Sequence, residues 1–141
     1  MPDILHLLPI KASPAAIHTA LTTTEGVRAW WTRDAVLDGA TVGGVGEFGF
    51  YGRRTVTRVR VEALTPASHV GWSVIASDLA HWHGTAIAFD LRPSGEATTL
   101  AFAHRGFAAA DDMYARVTTG WAHYLFSLRD YLERGAGDPN G

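Results

Sequence analysis

The chain reads as an α+β domain: a curved antiparallel sheet of about six strands wrapped around a long C-terminal helix, with two short helices after strand one. Three observations predict this. Apolar and polar residues alternate through segments between Phe48 and His104, the period of half-buried strands. Val117, Trp121, Tyr124, Leu125, Leu128 and Leu132 recur at helical spacing. Neither set can bury its apolar face without the other, so the sheet must close on the helix and can leave space between them.

The first strand is expected from Ile4 to Ile10, apolar on both faces and therefore well inside the sheet. Ser13-Pro14 starts a helix to about Leu21, with Ser as N-cap and Pro where a missing N–H costs nothing. Thr22 and Glu25 stand at capping-box spacing and open a second short helix carrying Val27 and Trp30 or Trp31 on its apolar side. The Gly-rich run from Asp38 to Gly46 holds no helix, and Phe48 and Phe50 mark strand two. After a turn at Tyr51-Gly52-Arg53, strand three runs from Arg54 to Leu64, with Thr57, Val59 and Val61 inward and Arg58, Arg60 and Glu62 outward. Val70, Trp72 and Val74 mark strand four; Thr85, Ile87, Phe89 and Leu91 strand five; Leu100, Phe102 and His104 strand six. Asp111 and Asp112 suit the positive end of the last helix and Gly135 its stop, giving about six turns.

Composition sets the class. Residues 1–135 make a single domain, and 136–141, built of Gly, Pro, Asn, Asp and one Ala, a flexible tail. A formal net charge of −2 with scattered Arg leaves no footprint for nucleic acid or an anionic membrane. There is no apolar run of about 20 residues, no signal-peptide pattern and no cysteine, so a cytoplasmic location is expected.

Several strings, in order, resemble the START-like SRPBCC superfamily, in the branch related to the C-terminal domain of the heat-shock-protein-90 ATPase activator. They are Ala12-Ser13-Pro14, Leu21-Thr22 with Trp30-Trp31, Val42-Gly43-Gly44, Val70-Gly71-Trp72, Trp82-His83-Gly84-Thr85, His104-Arg105-Gly106-Phe107, and Gly120-Trp121 with Tyr124-Leu125 and Leu128. The resemblance implies a helix-grip (START/Bet v 1-like) fold with a cavity for an apolar or amphipathic small molecule. It transfers the co-chaperone activity poorly, because the activator is a two-domain protein and this chain supplies one domain, as a bacterial stand-alone member would. Fold alone does not assign function.

Phe48, Phe50, Trp72, Ile87, Phe89, Phe107, Tyr124 and Leu125 are the expected cavity walls, chosen by strand phase and helix face; Trp30, Trp31, Trp72, Trp82 and Trp121 could form an aromatic cage around a flat or hydrophobic ligand. Adjacent Trp30 and Trp31 cannot both face inward from one helix, which places one of them at a cavity rim or an oligomer interface. The Tyr124 hydroxyl can supply one directional contact. His104 shares its face with Leu100 and Phe102. It is either a ligand contact whose titration gates binding or a buried histidine satisfied by backbone or a nearby hydroxyl.

Asp78, His81 and His83 lack the third ligand that zinc requires, and Gly39 to Gly46 lacks the Lys-Ser/Thr of a phosphate cradle. No metal, cofactor or catalytic residue is assigned. The leading expectation is a binding protein for a hydrophobic or aromatic small molecule, with a cavity of roughly 300 Å³ or more. Two alternatives stand beside it: a polyketide cyclase-like or hydrolase-like enzyme using His104, with Tyr124 or Arg53 orienting a carbonyl, and a chaperone-interaction module. A homodimer formed through a sheet edge or an exposed Trp is compatible with all three.

Overall fold

A computed structural model describes residues 1–141. β1 (Ile4–Ile10) leads to α1 (Pro14–Thr22), where the Ser13 hydroxyl accepts the Ala16 N–H at 3.1 Å. α2 (Thr24–Trp30) is capped by Thr23, one residue later than the capping-box spacing suggests, through the Gly26 N–H. The strands β2 (Asp34–Leu37), β3 (Val45–Phe50), β4 (Thr55–Thr65), β5 (His69–Ser77), β6 (Ala86–Ser94) and β7 (Ala97–Arg105) follow. α3 (Asp112–Arg134) is capped by Asp111 and ends at Gly135, whose φ of 85° is left-handed backbone that Gly adopts freely.

The sheet is antiparallel with order β1-β7-β6-β5-β4-β3-β2. It has seven strands where six are expected. The additional one, β2, buries only Ala35 and Leu37, too short an alternation to stand out. β1 is an edge strand and not an interior one; its Leu5 and Leu7 side chains are 64% and 68% exposed. An apolar residue on both strand faces therefore does not report two-sided burial here.

Register shifts in β4, at Arg58/Val59 and Val61/Ala63, bend the sheet around α3. Between sheet and helix, aromatic side chains interlock: Trp72 meets Phe89 at 5.3 Å between ring centroids, Phe89 meets Phe102 at 5.3 Å, and Phe102 meets Trp121 at 4.5 Å. Tilted and edge-on geometries of this kind add to the area term, which is about 1.5–3 kcal/mol for each fully buried large side chain.

The C-terminal residues differ from the expected loose tail. The Asn140 N–H donates to the Trp31 carbonyl at 2.9 Å, and the Arg33 N–H donates to the Asn140 carbonyl at 3.0 Å. Ser127 on α3 ties this arrangement together: its hydroxyl donates to the Trp30 carbonyl at 2.8 Å and accepts the Asp138 N–H at 2.7 Å. Gly137 passes so close to Ser127 and the Ala29 carbonyl that a Cβ would clash with both. Composition alone suggested fraying, but these hydrogen bonds are specific.

Candidate functional site

An apolar cavity of about 160 Å³ opens at the end of the interior bounded by the β3–β4 turn, the start of β4 and the middle of α3. Its origin lies in small residues. Thr55 and Thr57 hold the face that Val59 and Val61 fill further along β4, and Gly120 removes a side chain from α3 just where the helix crosses them. A Cβ built on Gly120 would meet nothing within 4 Å, so the position is open space and not a close approach. Trp31, Phe50, Trp82 and Trp121 form the walls, and Tyr51, Leu79, Val117 and Tyr124 complete the lining.

No charged side chain lines the cavity. Burial, then Tyr51 and Asp138, push the Tyr124 phenol up from its ordinary value, so it stays neutral. Thr57 and Ser77 share a hydroxyl hydrogen bond of 2.8 Å at the floor. The Trp82 indole N–H is enclosed and has no acceptor, so this wall offers the cavity its ring and not its donor. The rim is held from outside: Tyr51 and Arg53 have φ of 54° and 67°, a strained turn, and Arg53 is fixed by Asp34 and Glu47, each at 2.7 Å. Arg53 thus belongs to the outer surface and does not enter the cavity to orient a carbonyl.

Of the expected wall and cage residues, Phe50, Tyr124, Trp31, Trp82 and Trp121 reach this cavity. Phe48, Trp72, Phe89, Phe107, Trp30, Ile87 and Leu125 are buried in the filled part of the interior. The space is also smaller than expected, because those side chains occupy it. Both Trp30 and Trp31 face inward, contrary to the expectation for adjacent helical positions. Trp30 ends α2 with its Nε1 donating to the Ala20 carbonyl at 2.9 Å, while Trp31 is the C-cap, whose φ of −108° and ψ of −69° depart from the regular helix although its N–H still donates to the Val27 carbonyl at 2.9 Å. The two indoles stack at 5.7 Å, one in the core and one at the cavity.

His104 is fully buried behind Trp82 and Trp121. Trp121 Nε1 donates to its Nδ1 at 3.0 Å, so Nε2 carries the proton and donates to Thr85 Oγ1 at 2.8 Å, which donates in turn to the Trp82 carbonyl at 2.7 Å. Burial, with a smaller push from His81, lowers its pKa to about 3. It is the hydroxyl-satisfied histidine of the second reading, neutral near pH 7, and it holds two cavity walls in place. Asp78, His81 and His83 make separate contacts: Asp78 accepts the Val56 N–H at 2.8 Å, His83 Nε2 meets the Ser77 carbonyl at 2.6 Å, and His81 is half-buried toward Asp111.

The sequence reading missed Thr55, Thr57, Gly120, Tyr51 and Leu79 as lining residues. A signal existed in Gly120, a glycine in the middle of a strong amphipathic helix, and in Thr57, a polar residue at an inward β4 position.

A curved antiparallel sheet gripping a C-terminal helix, with two short helices after β1 and an apolar opening against that helix, is the architecture of the SRPBCC class. Residues 11–133 match the model of the Activator of Hsp90 ATPase homolog 1-like family, and the chain belongs to that family. Among solved structures, one described as the Aha1 dimer from Colwellia psychrerythraea is similar over 97% of this chain and 100% of that one, with 37% identity and a TM-score of 0.87. A Mesorhizobium loti protein aligns over 94% of this chain and 98% of that one at 19% identity and a TM-score of 0.84. A Staphylococcus saprophyticus protein covers 97% and 96% at 15% identity and 0.80, and these two support the fold only. No curated protein matches the chain. No helix is long and apolar enough to cross a membrane.

Proposed function

We propose that the domain binds a small, flat, uncharged aromatic molecule in the cavity between Trp31, Phe50, Trp82 and Trp121. The observation that carries this reading is Gly120. A glycine inside a helix costs about 0.5–1 kcal/mol relative to alanine, and here no close backbone approach demands it. What it maintains is the opening. The lack of charge disfavours ions, the indole walls suit ring stacking, and the neutral Tyr124 phenol in the lining can supply one directional contact. A volume of about 160 Å³ limits the occupant to one or two fused rings.

Thermal-shift measurements with neutral aromatic alcohols and ketones, 2-naphthol among them, test this. The expected result is a rise in melting temperature for the wild-type chain that Gly120→Leu abolishes. No rise with any of the panel, or an equal rise in both proteins, contradicts it. With His104 sealed behind two indoles, the enzyme reading has no exposed acid/base, and binding is the function the site supports best. The relative described as a dimer, at 37% identity, further supports self-association of this chain.

A further inference from the structure

The two edges of the sheet are not alike. Along the outer edge of β2, the Thr24 hydroxyl accepts the Leu37 N–H at 2.9 Å, and Arg28 Nε donates to the Ala35 carbonyl at 2.8 Å. Side chains of α2 thereby occupy that edge. On β1 such covers exist only at the ends: the Tyr114 hydroxyl donates to the Asp3 carbonyl at 2.7 Å, and Glu133 accepts the Lys11 N–H at 2.8 Å.

The prolines fix which β1 groups lie between those covers. Pro93 on β6 stands opposite Thr98 on β7 and has no N–H to give, so Thr98 and its even-numbered neighbours direct their hydrogen bonds to β1. Their partners there are Ile10, Leu8, His6 and Ile4. Pro9, also lacking an N–H, falls in the other set with Leu5 and Leu7. The N–H and C=O groups of Leu5 and Leu7 therefore point out from the sheet, and the side chains of the same two residues are exposed.

We propose that this edge is the seam of a homodimer, in which β1 pairs antiparallel with β1 of a second copy about a two-fold axis at His6. The inference rests on the self-association suggested above and adds where it occurs. Such pairing sets Leu5 opposite Leu7 of the second copy, and Leu7 opposite Leu5, as a hydrogen-bonded pair each way. Four open backbone groups per subunit gain partners, and the exposed leucines meet each other. The charges are compatible with the direction: Asp3 stands opposite Pro9 of the second copy, two positions along the strand from its Lys11, whose ammonium has no ion-pair partner within its own chain, while Asp3 already meets Arg105 at 3.4 Å. Phe126, 48% exposed on α3 and sharing a small hollow with Leu7 and Leu8, flanks the seam on the helix side.

Sedimentation velocity of the full chain tests the proposal with two edge variants, Leu7→Lys on β1 and Val36→Lys on β2, Val36 being 63% exposed. The expected result is a dimer for the wild type and for Val36→Lys, and at least a tenfold weaker dimer for Leu7→Lys, whose unchanged near-ultraviolet circular dichroism reports intact packing. Because the chain has no cysteine, Leu7→Cys adds one thiol per subunit, and a short bis-maleimide should cross-link it to a dimer in dilute solution while Val36→Cys stays monomeric on the gel. A monomeric wild type overturns self-association itself. A dimer that Leu7→Lys leaves intact, or that Val36→Lys dissociates, overturns the seam and leaves the dimer standing.

Discussion

The aromatic interior has two ends made of the same residue types, and only one of them is empty. At the β5–β7 end, Trp72, Phe89 and Phe102 fill the space between sheet and helix, their relative exposures 1%, 0% and 2%. At the β3–β4 end, Trp31, Phe50, Trp82 and Trp121 present comparable surface to a cavity. Trp72 and Trp82 both leave an indole N–H without a partner, but only Trp82 lines the opening. The lesson is that aromatic content does not make a pocket. Three small residues on the facing elements, Thr55, Thr57 and Gly120, separate the two ends.

Substitutions can break or sharpen this contrast. The largest effect is expected for Phe89→Ala in the filled end, about 3–5 kcal/mol lower unfolding free energy in urea titrations; Phe50→Ala, with solvent already on one side, should cost less than half as much. A next effect concerns acid. His104 titrates near 3 when folded and near 6.5 when unfolded, so between those values the unfolded chain binds more protons and stability falls as pH falls. The contribution at pH 4.5 is a loss of roughly 3 kcal/mol relative to pH 7.5, and His18 and His81, also lowered by burial, push the same way. Urea midpoints across that range should show the loss, and His104→Gln should flatten it.

Removing residues 136–141 deletes the hydrogen bonds that Asn140 makes to Trp31 and Arg33, and a loss of about 1–3 kcal/mol with weaker 2-naphthol binding is expected, measurable by calorimetry. The smallest effect carries the opposite sign. Gly120→Ala should raise stability by about 0.5–1 kcal/mol in the same assay while reducing ligand affinity, since its methyl enters the opening.

Much of the fold was legible. Strand phase placed Val59, Val61, Trp72, Phe89 and Phe102 inward, the Ser13 cap and the Gly135 stop stand where residue chemistry put them, and Asp111 and Asp112 lie at the positive end of α3 as expected. β2 was not, because two buried residues make no period, and the edge position of β1 was not, because leucines on both faces imitate burial. The site was legible only in outline. Inward-facing aromatics could be read from phase, but whether they touch each other or a space depends on the residues opposite them, which phase does not pair. The helix end at Trp31 shows the same limit: regular helical phase does not carry through the C-cap, so the adjacent indoles stack and both face inward. So does the tail, whose composition suggests disorder while Trp31 and Arg33, distant in sequence, hold Asn140.

The central claim is that the empty end is kept for a ligand. Indole ¹⁵N–¹H spectra of the wild-type chain titrated with 2-naphthol test it most directly, because both ends carry tryptophan reporters. The account predicts saturable shifts of the Trp82 and Trp31 resonances, as a ring stacked on their faces perturbs them, with Trp30 and Trp72 unmoved. Shifts spread evenly over all five indoles, or no saturable shift at Trp82, would contradict it.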